Sequence, residues 1–249
     1  MDTRLRIIAR IQSAFPTKFG VPRQSGLAPL LRAKVVFEPA FRQAEALRGL
    51  ESFSHLWLLW GFSEAVRRGG AGNEGKPDKG LDWSPTVRPP RLGGNVRMGV
   101  FATRSPFRPN PLGLSAVKLE GIQEDPVQGP VLLISGADLM DGTPIFDIKP
   151  YLPSADCIPD ALGGFTDAVP KPVLHVVVPD EVAQRLPSDT LAALRQVLAL
   201  DPRPAYQHSP EKVYGFPFDG FEVQFTVLDG VLTVIGLARE GHPAPFSLD

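Results

Sequence analysis

The chain has 249 residues, with 26 Lys plus Arg against 27 Asp plus Glu and 43% hydrophobic side chains. A formal charge of −1 excludes a globally basic nucleic-acid binder, so any such partner must be met by a local patch. One cysteine, Cys157, excludes an internal disulfide and points to a reducing, cytoplasmic setting, and the longest apolar run, Leu56 to Phe62, is too short to span a bilayer.

The opening stretch RLRIIARIQS mixes arginines with apolar residues, which argues against a signal peptide and for a short strand. AKVVFE reads as a second strand, Phe41 to Leu50 as one short helix, and HLWLLWGF as a buried strand. Residues 67–80 carry glycine and charge without apolar periodicity and are expected to be an exposed insertion. RMGVFATR, LSAVKLEGI and PVLLISGADL supply three more strand candidates. The proline-rich residues 156–172 read as a linker, after which PVLHVVVP is a strand and SDTLAALRQVLAL a helix capped by Ser188, with Leu191, Leu194 and Leu198 on one face. FEVQFTVLDGVLTVIGL is a hairpin turning at Asp229-Gly230. The fold class is therefore mainly β, a barrel or sandwich over residues 1–155 followed by a small α+β domain over 173–249.

Several familiar chemistries are absent or broken. GAGNEGKP, Gly70 to Pro77, has the P-loop spacing but ends in proline where magnesium needs a hydroxyl. GFSEA around Ser63 lacks the last glycine of a nucleophile elbow, and no G-x-G-x-x-G follows a strand. His55, His175, His208 and His242 are scattered without metal-ligand spacing, so no metal is expected. What remains is charge. From Ser84 to Leu119 there is no acidic residue, while Arg88, Arg91, Arg97, Arg104, Arg108 and Lys118 all fall inside, as either a sheet edge charged against edge pairing or a phosphate-contacting surface would require. Within it ATRSPFRPNPLGLS stiffens itself with three prolines around Arg104 and Arg108, which lowers the entropy lost on binding. Asp138, Asp141 and Asp147 follow closely, with Lys149 and Tyr151. Asp141-Gly142 also reads as a turn.

FGVPRQ, GLESFSHLW, PPRLGGNVRMGVFATRSPFRPNPLGLS, DLMDGTPIFDIKPYLP and DPRPAY, in that order, resemble the TrmO family of tRNA methyltransferases. The resemblance implies a single-sheeted β-barrel homodimer that uses S-adenosylmethionine to methylate N6 of threonylcarbamoyladenosine at position 37 of tRNA, beside the anticodon. It implies cofactor contacts from Pro22, Arg23 and Gln24, from Arg104, from Leu114, and from Ser135, Gly136, Ala137 and Asp138. Where relatives commonly carry a His-Gln pair this chain has Ser63-Glu64, so only a backbone contact carries over there.

Methyl transfer from a sulfonium depends on in-line positioning more than on acid or base help. The acceptor N6 is nonetheless a poor nucleophile, and a carboxylate that takes its proton suits Asp138 or Asp141, with Asp141 favoured because Asp138 is expected to hold the cofactor. Arg108, with Asn110 as a neutral donor, is the fork expected to meet the threonyl carboxylate, and Lys149 and Arg203 are further substrate-binding candidates. Tyr206 is expected to wall a flipped base.

Overall fold

The computed structural model describes residues 5–62, 83–89, 96–168, 173–203 and 212–239. Six strands form the first sheet: β1 (Ala9–Gln12), β2 (Arg32–Phe37), β3 (His55–Gly61), β6 (Leu112–Asp125), β7 (Gly129–Ser135) and β8 (Pro144–Pro150). Their pairing order, β1-β2-β7-β6-β3-β8, is that of a closed barrel, because β1 pairs with β2 along one side and with β8 along the other. Alternation fills its inside: Ile11, Val35, Leu56, Leu58, Val117, Leu132, Ile134 and Ile145 pack into one core. A two-stranded ladder, β4 (Thr86–Val87) and β5 (Met98–Gly99), stands apart from it.

The second sheet has the order β10-β11-β12-β9, from β9 (His175–Val177), β10 (Tyr214–Phe218), β11 (Phe221–Leu228) and β12 (Val231–Arg239). Short helices α1 (Pro153–Asp156) and α2 (Asp180–Ala183) precede the twelve-residue α3 (Ser188–Ala199), whose Leu194, Val197 and Leu198 are buried with Phe216, Phe218, Phe225 and Val234. The β11–β12 turn falls at Asp229-Gly230, as the sequence indicates.

Several elements differ from their sequence expectation. Phe41 to Leu50 is not a helix but a series of short 3-10 turns, with Gln43 extended between the first two. Leu47 is the one buried side chain of those turns, too little apolar face to hold a short helix. RMGVFATR is a strand only at β5 and then a 3-10 turn. Ser188 does not cap α3. Pro187 occupies the cap and makes no side-chain bond.

The loop between β1 and β2 packs away from its own sheet. Phe15, Ala28 and Leu31 belong to the second core, beside α3 and β10. Leu30 N donates to Gln196 Oε1 at 2.9 Å, Asp219 N to the Ala14 carbonyl at 2.8 Å, and Arg32 pairs with Asp189 at 2.8 Å in solvent. The loop that carries Pro22, Arg23 and Gln24 is thus braced by the C-terminal unit.

Candidate functional site

At the β7 end of the closed sheet, Ser135 ends the strand because Gly136 turns into the left-handed region at φ +74°. The turn is fixed from both sides: Gly136 N donates to the Leu31 carbonyl at 2.9 Å and Gly26 N to the Gly136 carbonyl at 2.8 Å. This stitches residues 135–138 to the loop holding Gln24. Ala137 and Leu139 anchor in the core, which leaves Asp138 between them half-buried at the rim.

Asp138 is held by a two-step relay. Trp60 Nε1 donates to Ser115 Oγ at 2.9 Å, and Ser115 Oγ donates to Asp138 Oδ1 at 2.6 Å. Trp60 reaches Ser115 across Gly113, its partner in the β3–β6 register, where a Cβ would collide with the indole. Burial pushes the Asp138 carboxyl above its ordinary value, against opposing hydrogen bonds from Ser115 and the Ser25 backbone and the nearby Arg104 charge. Arg104 Nη1 in turn donates to Gln24 Oε1. Gln24, Arg104, Gly136 and Asp138, far apart in sequence, therefore form one cluster.

The other expected residues are distributed differently. Pro22 is buried and Arg23 exposed in the same loop. Ser135 is committed to structure, its Oγ donating to Glu120 Oε1 at 2.7 Å and holding that carboxyl below the usual range together with Lys118. Leu114 is 54% exposed and, by strand alternation, on the face of β6 opposite Ser115. Asp141 is exposed, and its Oδ1 accepts the Ser13 N–H at 3.0 Å, which ties it into a turn rather than into the Asp138 cluster.

Arg108 does not stand free as a substrate fork. Its Nη2 donates to the carbonyls of Val100 and Thr103, and its Nε is buried without a partner, so it staples its own proline loop. Asn110 lies apart from the cluster, in an apolar cavity of about 270 Å³ lined also by Leu5, Phe62, Leu112 and Phe146. Lys149 pairs with Asp147 at 3.1 Å on the sheet's outer face, and Arg203 is held by both carboxylate oxygens of Asp201. Ser63, Glu64, Tyr206, Arg91 and the insertion at 67–80 lie outside the described residues. Among the described residues no three His, Cys, Asp or Glu side chains gather as a metal site, and no helix is long and apolar enough to cross a membrane.

Sequence reasoning missed Trp60 and Ser115. A serine at an inward position of the otherwise apolar alternation Ser115, Val117, Leu119 is the signal that could have found them, since a buried hydroxyl must be partnered.

A closed β-sheet with a half-buried carboxylate and an exposed arginine at its rim places the chain outside the doubly wound nucleotide-binding folds. The chain belongs to the tRNA-methyltransferase O family: residues 10–157 match its N-terminal domain and residues 172–240 its C-terminal domain. Over 241 residues the chain is 43% identical to a tRNA (adenine(37)-N6)-methyltransferase of Escherichia coli, covering 92% of this chain and 95% of that one. A protein of the same description from Eikenella corrodens is 50% identical over 184 residues, 74% of this chain and 96% of its own. The crystal structure of TrmO from Pseudomonas aeruginosa superposes with a TM-score of 0.72 at 34% identity, covering 96% of this chain and all of that one.

Proposed function

We propose that this protein methylates N6 of an adenosine at position 37 of tRNA, that the adenosine carries a threonylcarbamoyl group, and that S-adenosylmethionine is the methyl donor. The observation that carries the reading is the Gln24, Arg104, Gly136 and Asp138 cluster within a chain similar over nearly its whole length to a tRNA (adenine(37)-N6)-methyltransferase. The donor set suits the cofactor: Arg104 offers a cation for its carboxylate. When bound, the cofactor supplies an electrophilic methyl group on a positively charged sulfur.

The chain's own part is positioning and proton handling. Arg104, steadied by Gln24, fixes one end of the site, and the C-terminal unit braces the loop that carries Gln24. As a new C–N bond forms and the methyl–sulfur bond breaks, its electron pair staying on the sulfur, the N6 proton must leave, and Asp138 rather than Asp141 is the acceptor in this reading. Burial raises its affinity for a proton, and the Ser115 hydroxyl keeps Oδ1 oriented. The proposed enzyme is a homodimer with the cofactor near the subunit interface, and the exposed, outward-facing Leu114 is available to such a contact.

The test is nucleoside mass spectrometry after incubating the protein with S-adenosylmethionine and one tRNA, with and without its threonylcarbamoyl group. A gain of one methyl on the modified adenosine alone supports the reading. Gain on plain adenosine alone refutes the substrate, and gain on neither, with cofactor binding intact, refutes the activity.

A further inference from the structure

We propose that the β4–β5 ladder is a platform for unpaired bases of the RNA loop, with Trp83 and Phe101 as its stacking rings and Arg88 and Arg97 as its phosphate contacts. This rests on the tRNA reading above and adds to it a contact surface distinct from the Asp138 cluster.

The ladder pairs Thr86 with Gly99 and Val87 with Met98, and Val100 N donates to the Pro85 carbonyl at 3.0 Å. That closure brings Trp83 and Phe101 together at one end, ring centres 5.9 Å apart and planes at 31°. Yet Phe101 is 75% exposed and Trp83 37%. At the other end Arg88 and Arg97 stand one residue beyond the last pair, both exposed. The next loop adds exposed Phe107.

A lone exposed aromatic means little, but two rings in contact, left in water on a stretch with no acidic residue, form a surface with an occupant. The occupant must be anionic and must present flat apolar faces. Unpaired bases on a phosphate backbone do both, whereas a duplex hides its base faces. A second copy fits less well, because a two-fold contact through this surface would set arginines against arginines.

The test is fluorescence anisotropy of the full chain with a labelled anticodon stem–loop RNA and, as control, a fully paired hairpin with the same stem. The joint change Trp83→Ala and Phe101→Ala is expected to weaken stem–loop binding by about 5- to 100-fold while binding to the paired hairpin and to S-adenosylmethionine stays as in the wild type. Phe101→Tyr, which keeps the ring, should retain binding, and Phe101→Leu should not. Arg88→Ala with Arg97→Ala should lower the slope of log affinity against log salt by about 1.4. Wild-type affinity in the joint aromatic variant overturns the platform. So does a loss that coincides with a halved mass in sedimentation, which assigns the surface to a second copy. If the wild type binds the stem–loop and methylates tRNA while these variants behave normally, the platform alone falls. If the wild type does neither, the tRNA reading falls with it.

Discussion

Replacing Ser115 by alanine removes one small atom group that serves a buried indole and a half-buried carboxylate. The Trp60 indole N–H loses its acceptor and the Asp138 carboxylate loses its donor, at a position only 1% exposed, where water cannot substitute readily. An unsatisfied buried donor costs about 1–3 kcal/mol, and a lost hydrogen bond to a charged group about 1.5–3 kcal/mol, so Ser115→Ala should destabilise the fold by about 2.5–6 kcal/mol. Loss of the hydroxyl also removes a bond that holds the Asp138 carboxyl down, so its proton affinity should rise further. Urea unfolding measures the first effect. Methyl transfer to tRNA across pH measures the second, and the acid limb of the profile should move to higher pH. Combining Ser115→Ala with Trp60→Phe should cost less than the sum of the single changes, because the orphaned N–H is then gone as well. A loss below about 0.5 kcal/mol, or an unmoved acid limb, would refute the relay.

Gly113→Ala should cost about 1–3 kcal/mol in the same unfolding assay, because the new methyl meets the Trp60 ring and must push it off Ser115. Asp138→Asn should abolish methyl transfer yet gain stability relative to the wild type as pH rises. A carboxyl whose folded pKa is raised stabilises the fold most below its unfolded value, and that contribution is lost as pH climbs through the folded one. Melting temperatures of the two proteins, followed from acid to neutral pH, should therefore diverge in favour of the amide variant. Arg104→Ala should weaken S-adenosylmethionine binding by about tenfold or more in titration calorimetry, with little change in melting temperature because the side chain is exposed.

The mainly-β character and the position of α3 were legible because alternation and helical spacing report directly which faces are buried, as in Ile11 against Arg10 or Leu194 and Leu198 in α3. The basic proline loop and the family motifs were equally plain in one dimension. The closing strand β8 was not: PIFDIKP carries prolines at both ends and two charges, and only pairing with β1 and β3 makes it a strand. Phe41 to Leu50 has helical spacing but buries only Leu47 fully, too little apolar face to hold a short helix, so its local preference lost. The site shows the same division. Sequence names Gln24, Arg104 and Asp138, but it cannot say that the loop bearing Gln24 leaves its own sheet for the C-terminal core, nor that Arg108 turns inward while Arg104 turns out. Burial patterns are written along the chain, residue by residue. Which aspartate is desolvated and which is tied into a turn depends on groups more than a hundred residues apart, and only folding brings those together.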